Sequence, residues 1–222
     1  MTSRSALRIA GFVLTVAVAM APAFPQTAPP AATAPFDYYV MTLSWSPGFC
    51  DLGGEEKSPQ QCAAGSGDGF VVHGLWPNNR YAANPEDCAL SADAKAADLA
   101  LARGLYPDDG LASYEYRKHG ACTGLSASDY FAAVRYARGQ LNIPPILQAP
   151  REGLHVSPDE LEQDFIAANA NLTAGAMAIT CRRGELVDVR FCISKDLRAF
   201  ASCPKVAGHT CHRASLVVAP LR

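Results

Sequence analysis

The stretch MAITCRRGELVDVRFCIS, residues 177–194, decides the reading of the fold. Residues 177–181 and 185–194 are strand-like runs rich in apolar and β-branched side chains, and Arg182-Arg183-Gly184 between them has turn chemistry. The segment is therefore expected to form a β-hairpin, which commits the chain to antiparallel sheet. Working outward, residues 36–46 carry aromatic and β-branched side chains in partial alternation and stop at Pro47-Gly48, the mark of a strand running into a loop. Residues 53–68 read as loop. Phe70-Val71-Val72 is a short apolar strand ending before Gly74 and Pro77, which delivers His73 to a strand end. Residues 215–219 supply one more strand.

Helical signals lie between these runs. Residues 91–103 are rich in Ala, carry Leu99 at helical spacing and stop at Gly104. Residues 111–118 are good helix formers, and in residues 128–140 Tyr130, Phe131, Val134 and Ala137 make an apolar stripe. Ser157-Pro158-Asp159-Glu160 combines an N-cap serine, a proline at the first helical position and a glutamate three residues after the cap, so a helix is expected from there to Ala168. No repeat or interior linker divides the chain. Strands and helices in separate runs argue for an α+β fold, a single domain with a central antiparallel sheet flanked by helices.

The N-terminus reads as an address. Arg4 and Arg8 precede the uncharged apolar run 9–20, and Ala21-Pro22-Ala23 follows with small residues at signal-peptidase spacing. The run is short for a membrane span, which needs roughly 20 residues, so residues 1–23 are expected to be a cleavable secretory signal. Residues 24–35, rich in Ala, Pro and Thr, form a loose spacer, and the folded domain is expected over residues 36–222. This predicts a periplasmic or secreted protein, a monomer with no membrane attachment after cleavage and no stable protein partner. Of 19 basic residues, loss of Arg4 and Arg8 leaves 17 against 21 acidic ones. A mildly acidic protein does not hold nucleic acid by bulk phosphate neutralisation, so any nucleic-acid contact is expected to be local and transient.

Eight cysteines follow the export signal, an even set suited to an oxidising compartment. Spacing favours local pairs: Cys50 with Cys62, Cys88 with Cys122, Cys192 with Cys203, and Cys181 with Cys211 enclosing the last. Eight cysteines allow roughly a hundred arrangements, so sequence alone leaves the pairing open.

Glu115, Lys118 and His119 stand at i, i+3 and i+4, so on a helix all three project from one face. Alone, this triplet reads more readily as a solvated charged face. His73, from a distant strand, changes the balance. Cleavage of RNA by its own 2′-hydroxyl needs one group to remove that proton and another to protonate the leaving 5′-oxygen, and two imidazoles can do both. Charge gathers on the phosphorane oxygens between them, where Lys118 and Glu115 would stabilise it.

The strings His73-Gly74-Leu75-Trp76-Pro77 and Glu115-Tyr116-Arg117-Lys118-His119-Gly120-Ala121-Cys122 resemble the two active-site segments of the ribonuclease T2 family, and the likeness spans roughly residues 36–211. The resemblance implies an acid-tolerant endoribonuclease acting on single-stranded RNA through 2′,3′-cyclic phosphates to 3′-phosphates, with no metal and no cofactor. It makes His119 the general base and His73 the general acid of the first step, with Glu115 and Lys118 steadying the phosphorane. Trp76 would help form the substrate pocket. Where the family often has a third histidine this chain has Tyr114, whose hydroxyl can bind phosphate but brings no positive charge. Asn78 and Asn79 are candidates to read a base edge, although loop asparagines more often serve turns. The family's cysteine pattern also resembles the local pairing, and a Cys88–Cys122 bridge would hold His119 against the strand bearing His73.

Other signals weigh less. Cys203, His209, Cys211 and His212 have zinc-ligand chemistry, but exported thiols oxidise. His155 reads as a surface residue, Arg182-Arg183 as a solvated turn, and Asn171-Leu172-Thr173 fits a glycosylation acceptor. Two further classes stand against the nuclease: a secreted binding protein that keeps the fold without catalysis, and a metal-dependent nuclease. The first is expected to lose a catalytic histidine; the second needs a cluster of carboxylates, absent around either histidine segment.

Overall fold

The computed structural model describes residues 34–88 and 93–222. The expected leader, and residues 24–33 of the spacer, lie outside the described residues. One six-stranded sheet carries the fold, with strands β1 (Tyr38–Trp45), β2 (Phe70–Asn78), β3 (Leu154–Val156), β4 (Met177–Arg182), β5 (Glu185–Ser194) and β6 (Leu216–Val218). Helices α1 (Ser46–Asp51), α2 (Ala96–Ala102), α3 (Asp109–Lys118), α4 (Ala127–Gly139), α5 (Pro158–Ala168) and α6 (Pro204–Ala207) surround it. Strand order is β2-β1-β5-β6-β3, and β4 pairs with β5. The sheet is antiparallel except where β5 meets β6, a parallel pair reached through Glu185 and Val217 alone.

The hairpin is present. β4 and β5 pair from Met177 with Phe191 to Arg182 with Glu185. Its turn residues Arg183 and Gly184 both have positive φ, 55° and 93°, the geometry whose twist matches the flanking strands. Central strand β1 is buried on both faces. Tyr39, Met41, Leu43 and Trp45 join the large core, while Tyr38 and Val40 join a smaller cluster on the opposite face with Ala178, Cys192 and Val206. α4 and α5 cap the large core with Tyr130, Phe131, Val134, Leu161 and Phe165, all fully buried. Burying side chains of this size stabilises by roughly 1.5–3 kcal/mol each relative to exposure.

Two irregularities in the ladder position the site. Along β2 the pairing runs Thr42 to Gly74 and then Leu43 to Val72, so His73 is an extra, bulged residue. Phe70 and Val72 face the large core before the bulge; after it Leu75 does, and Trp76 is turned to the opposite face. Without the inserted residue the period-two alternation would send Trp76 into the core and Leu75 out of it. β5 repeats the device. Thr180 pairs with Asp188 and Cys181 with Leu186, leaving Val187 as the extra residue. Leu186 therefore faces the large core, as Val189, Phe191 and Ile193 do, whereas Asp188, Arg190 and Cys192 fall on the opposite face.

Several expectations are corrected. His73 lies within a nine-residue strand rather than at a strand end, because the bulge absorbs the irregularity and β2 is an edge strand, where Pro77 costs no interior ladder bond. The outer edge of β2 is satisfied by the Tyr130 hydroxyl, which accepts from Leu75 N and donates to Leu75 O, and by Leu105 O, which accepts from Val72 N. Pro47-Gly48 does not open a loop: Pro47 takes an N-terminal position of α1, where its missing N–H is no loss. α2 begins at Ala96; residues 89–92 lie outside the described residues. His155 is exposed, on the unforeseen short strand β3. α5 starts as its sequence predicts, with Ser157 and Glu160 making the reciprocal capping bonds.

The bridges are Cys50–Cys62, Cys88–Cys122, Cys181–Cys211 and Cys192–Cys203. Each constrains the unfolded chain by about 2–4 kcal/mol in the loop-entropy account. The folded region reaches slightly upstream of Phe36, since Ala34 N donates to Cys122 O at 3.2 Å.

Candidate active site

α3 lies against the end of β2 and aims Glu115 across the strand backbone. Its carboxylate Oε2 accepts from Trp76 Nε1 at 2.6 Å. A Cβ on Gly74 would collide with both the Trp76 indole and that carboxylate, so glycine is what allows the two to meet over the strand. Glu115 is 1 % exposed and sits between the two histidines. His73 Nε2 is 3.7 Å from Oε1, and His119 Nε2 is 4.0 Å from Oε2. The Trp76 ring stands between the imidazoles too, its centroid 5.3 Å from His73 and 5.4 Å from His119.

The four chemical residues and Trp76 line one open cavity of about 420 Å³. Tyr114 and Asn78 also reach its wall. Lys118, at the last helical position of α3, points its ammonium toward Glu86 Oε2 at 3.6 Å, with the Tyr114 ring centroid 5.8 Å away. Asn78 is buried and donates to Trp76 O at 3.2 Å, closing the strand end. Asn79 serves the loop, donating to Ala83 O at 2.8 Å and receiving no cavity position. A second, more apolar cavity of about 670 Å³ adjoins the first, and both are bounded by His73 and Tyr114.

Sequence reasoning missed a second tier of residues. Asp188 and Arg190 come from β5, Ser44 from β1 and Glu86 from the loop after β2. Ser44 Oγ donates to Asp188 Oδ1 at 2.5 Å and lies 3.3 Å from His73 Nδ1. Arg190 places its guanidinium 3.7 Å from the other Asp188 oxygen and 5.8 Å from the Trp76 ring centroid. An aspartate and an arginine two apart in a strand otherwise rich in apolar residues were the available signal. His209, weighed as a zinc ligand, sits on the cavity wall, and Cys203 and Cys211 are spent in separate bridges. Among the described residues no group of three or more His, Cys, Asp or Glu is placed to hold a metal ion.

The two imidazoles are displaced in opposite directions. Burial pushes His119 down to about 4, and the positive Lys118 and His73 add to this against Glu86 and Asp87. Burial also pulls on His73, but the Asp188 contact and the charge of Glu115 outweigh it, so His73 holds its proton above the ordinary 6.5. Burial raises the Glu115 carboxyl, opposed by His73, the Trp76 hydrogen bond and Lys118. Tyr114 and Glu86 hold the Lys118 ammonium more firmly protonated. Over a window from about pH 4 upward the site thus offers one neutral and one charged imidazole, a base and an acid side by side.

The Cys88–Cys122 bridge acts less directly than expected. Cys122 follows α3, but Cys88 belongs to the loop leaving β2, where Asp87 N also donates to Lys118 O at 2.7 Å. The bridge therefore ties Glu86 and its loop to the end of the helix carrying Lys118 and His119.

Two histidines, a lysine and a glutamate around one open cavity of a disulfide-bonded α+β fold make a site equipped for general acid–base chemistry. Residues 36–203 match the profile of the Ribonuclease T2 family, and the chain belongs to that family. It is 39% identical over 129 residues to a probable ribonuclease of Haemophilus influenzae, an alignment covering 51% of this chain and 46% of that protein. It is 41% identical over 95 residues to a ribonuclease of Aeromonas hydrophila, covering 43% and 41% respectively. The chain thus spans under half the length of these two relatives. The fold matches a crystal structure of RNase NT in complex with 5′-AMP with a TM-score of 0.67 and 22% identity, covering 85% of this chain and 100% of that one.

Proposed function

We propose that this protein is an endoribonuclease that cleaves single-stranded RNA by transphosphorylation, without metal or cofactor. The observation that carries the reading is the opposite displacement of two imidazoles flanking one buried carboxylate and one indole. Neutral His119 takes the proton of the 2′-hydroxyl as that oxygen attacks phosphorus. Charged His73 gives a proton to the departing 5′-oxygen, and a 2′,3′-cyclic phosphate results. In the second step the roles reverse: His73 activates water, His119 protonates the 2′-oxygen, and a 3′-phosphate is left.

Lys118 neutralises charge building on the non-bridging oxygens, and Glu115 holds Trp76 and both rings in place while its raised carboxyl allows it to share a proton with the phosphorane. Tyr114 offers a phenol where the family often has a third histidine, so phosphate binding leans on Lys118. Trp76 and Asn78 bound the space for a nucleotide. The four bridges suit an oxidising compartment, and no helix among the described residues is long and apolar enough to cross a membrane. The bridges support a periplasmic or secreted protein, which we read as a monomer whose residues 1–23 direct export.

The test is cleavage of RNA by the oxidised protein in chelator. The expected result is cyclic-phosphate ends that convert to 3′-phosphates, with full activity in chelator. Cleavage that depends on added divalent metal would overturn the mechanism, and no cleavage under any condition would leave a binding protein on the same fold.

A further inference from the structure

Three neighbouring strands place one polar side chain each in a row behind the reacting edge of His73. β2 supplies His73 itself, β1 supplies Ser44 and β5 supplies Asp188; Ser44 and Asp188 are paired directly across the ladder. The Asp188 side chain is 9% exposed, in a setting where a carboxylate is retained only if its oxygens are bonded or paired. Both are: Oδ1 accepts the Ser44 hydroxyl at 2.5 Å, and Oδ2 has the Arg190 guanidinium at 3.7 Å.

A serine hydroxyl has a single proton. Ser44 spends it on Asp188, so toward His73 Nδ1, 3.3 Å away, its oxygen can only accept. A hydrogen bond between the two therefore needs a hydrogen on Nδ1, which leaves Nε2 as the nitrogen that gains and loses the proton. Nε2 is the atom on the Glu115 side, 3.7 Å from Oε1. The other charged or titratable groups facing this ring are Arg190 from β5, Glu115 from α3 and His119 at the α3 C-terminus, with Tyr114 alongside in the cavity wall.

We propose that Asp188, acting through Ser44, is a positioning residue that fixes the tautomer of His73 and so selects Nε2 as the nitrogen that donates to the leaving oxygen. The proposal rests on the acid role given to His73 above. The unbroken register from Asp188 to Ser194 keeps Asp188 on the polar face with Arg190, and the bulge at Val187 lets Leu186, two residues earlier, still reach the apolar core.

The experiment is nitrogen NMR of the full oxidised protein with labelled histidine, through a titration, beside the pH profile of kcat/KM for wild type, Asp188→Asn and Ser44→Ala. In wild type the neutral His73 ring is expected to show a protonated Nδ1 and an unprotonated Nε2. Asp188→Asn keeps an oxygen acceptor for Ser44 but removes the charge; it is expected to lower the His73 titration and the alkaline limb of kcat/KM together, by roughly one pH unit. Ser44→Ala should leave the limb within a few tenths of a unit while mixing the two tautomers. An unprotonated Nδ1 in wild type, or an Asp188→Asn protein with an unmoved titration, overturns the proposal. If a variant does not fold, the wild-type tautomer still decides. A wild-type protein with the expected tautomer but no RNA cleavage would sink the proposed function and leave the positioning role standing.

Discussion

The indole of Trp76 donates to the buried carboxylate of Glu115 at 2.6 Å, directly over the backbone of Gly74. This bond links the bulged edge strand to the helix that carries Lys118 and ends at His119, and so helps to hold the two histidines at their spacing.

Gly74→Ala is accordingly expected to disable the enzyme while sparing the fold. The added methyl forces the indole and carboxylate apart, and overpacking of this kind costs about 1–3 kcal/mol. kcat for RNA cleavage should fall on the order of 100-fold, because misplacement by about 1 Å costs that much. Circular dichroism and thermal melting check that the protein remains folded; near-wild-type kcat would show that the crossing is not required.

The profile of kcat/KM against pH should be a bell. Its acid limb reports the free base His119, near pH 4, and its alkaline limb the acid His73, above 6.5. Activity needs His119 neutral and His73 charged, so it rises through the first value and falls through the second. His119→Ala and His73→Ala should each lose on the order of 10²–10⁴-fold in kcat, and in each the limb of the missing residue should vanish. Replacement of either histidine with no loss would refute its role.

Burial of neutral His119 also marks stability. Its folded value lies below the unfolded one, so the folded state resists its protonation, and stability attributable to this group is lost as pH falls from 6.5 to about 4. The full loss is on the order of 3 kcal/mol. Melting temperature should therefore drop more steeply over this range in wild type than in His119→Asn. Parallel curves would argue that the imidazole is not held neutral.

Removing the Cys88–Cys122 bridge by a double change to serine should act on stability and on the site. Closing a loop of sequence separation 34 contributes about 3–4 kcal/mol in the entropy account. The loosened loop carries Glu86 away from Lys118, so KM for RNA should change along with the melting temperature. A lowered melting temperature with unchanged kinetics would assign the bridge to stability alone.

Lys118→Met tests the charge at the phosphorane. With Tyr114 where the family often has a third histidine, loss of Lys118 should lower kcat on the order of 10²–10³-fold, as for an oxyanion donor. Lys118→Arg should recover part of it, measured at constant ionic strength.

Much of this was legible locally. The hairpin 177–194, the capped start of α5 and the stripe of α4 follow from alternation, caps and helical period, which act within a few residues. The spacing of Glu115, Lys118 and His119 likewise put three side chains on one turn. Pro47 was misread because a proline breaks a strand and begins a helix equally well, and only the packing of the following turn distinguishes the two.

Sequence by itself determined the α+β class and the two motifs that carry His73 and His119, the proposed acid–base pair, since each motif and each element is written in a short run of residues. Tertiary structure alone decided what surrounds that pair: which face Trp76 takes, how Gly74 lets Glu115 cross, and that Ser44, Asp188 and Glu86 stand behind the reacting groups. The reason is physical. A single inserted residue in β2 or β5 reverses the faces of everything beyond it, and whether a strand accommodates one is settled by long-range register and burial that no local run of residues records.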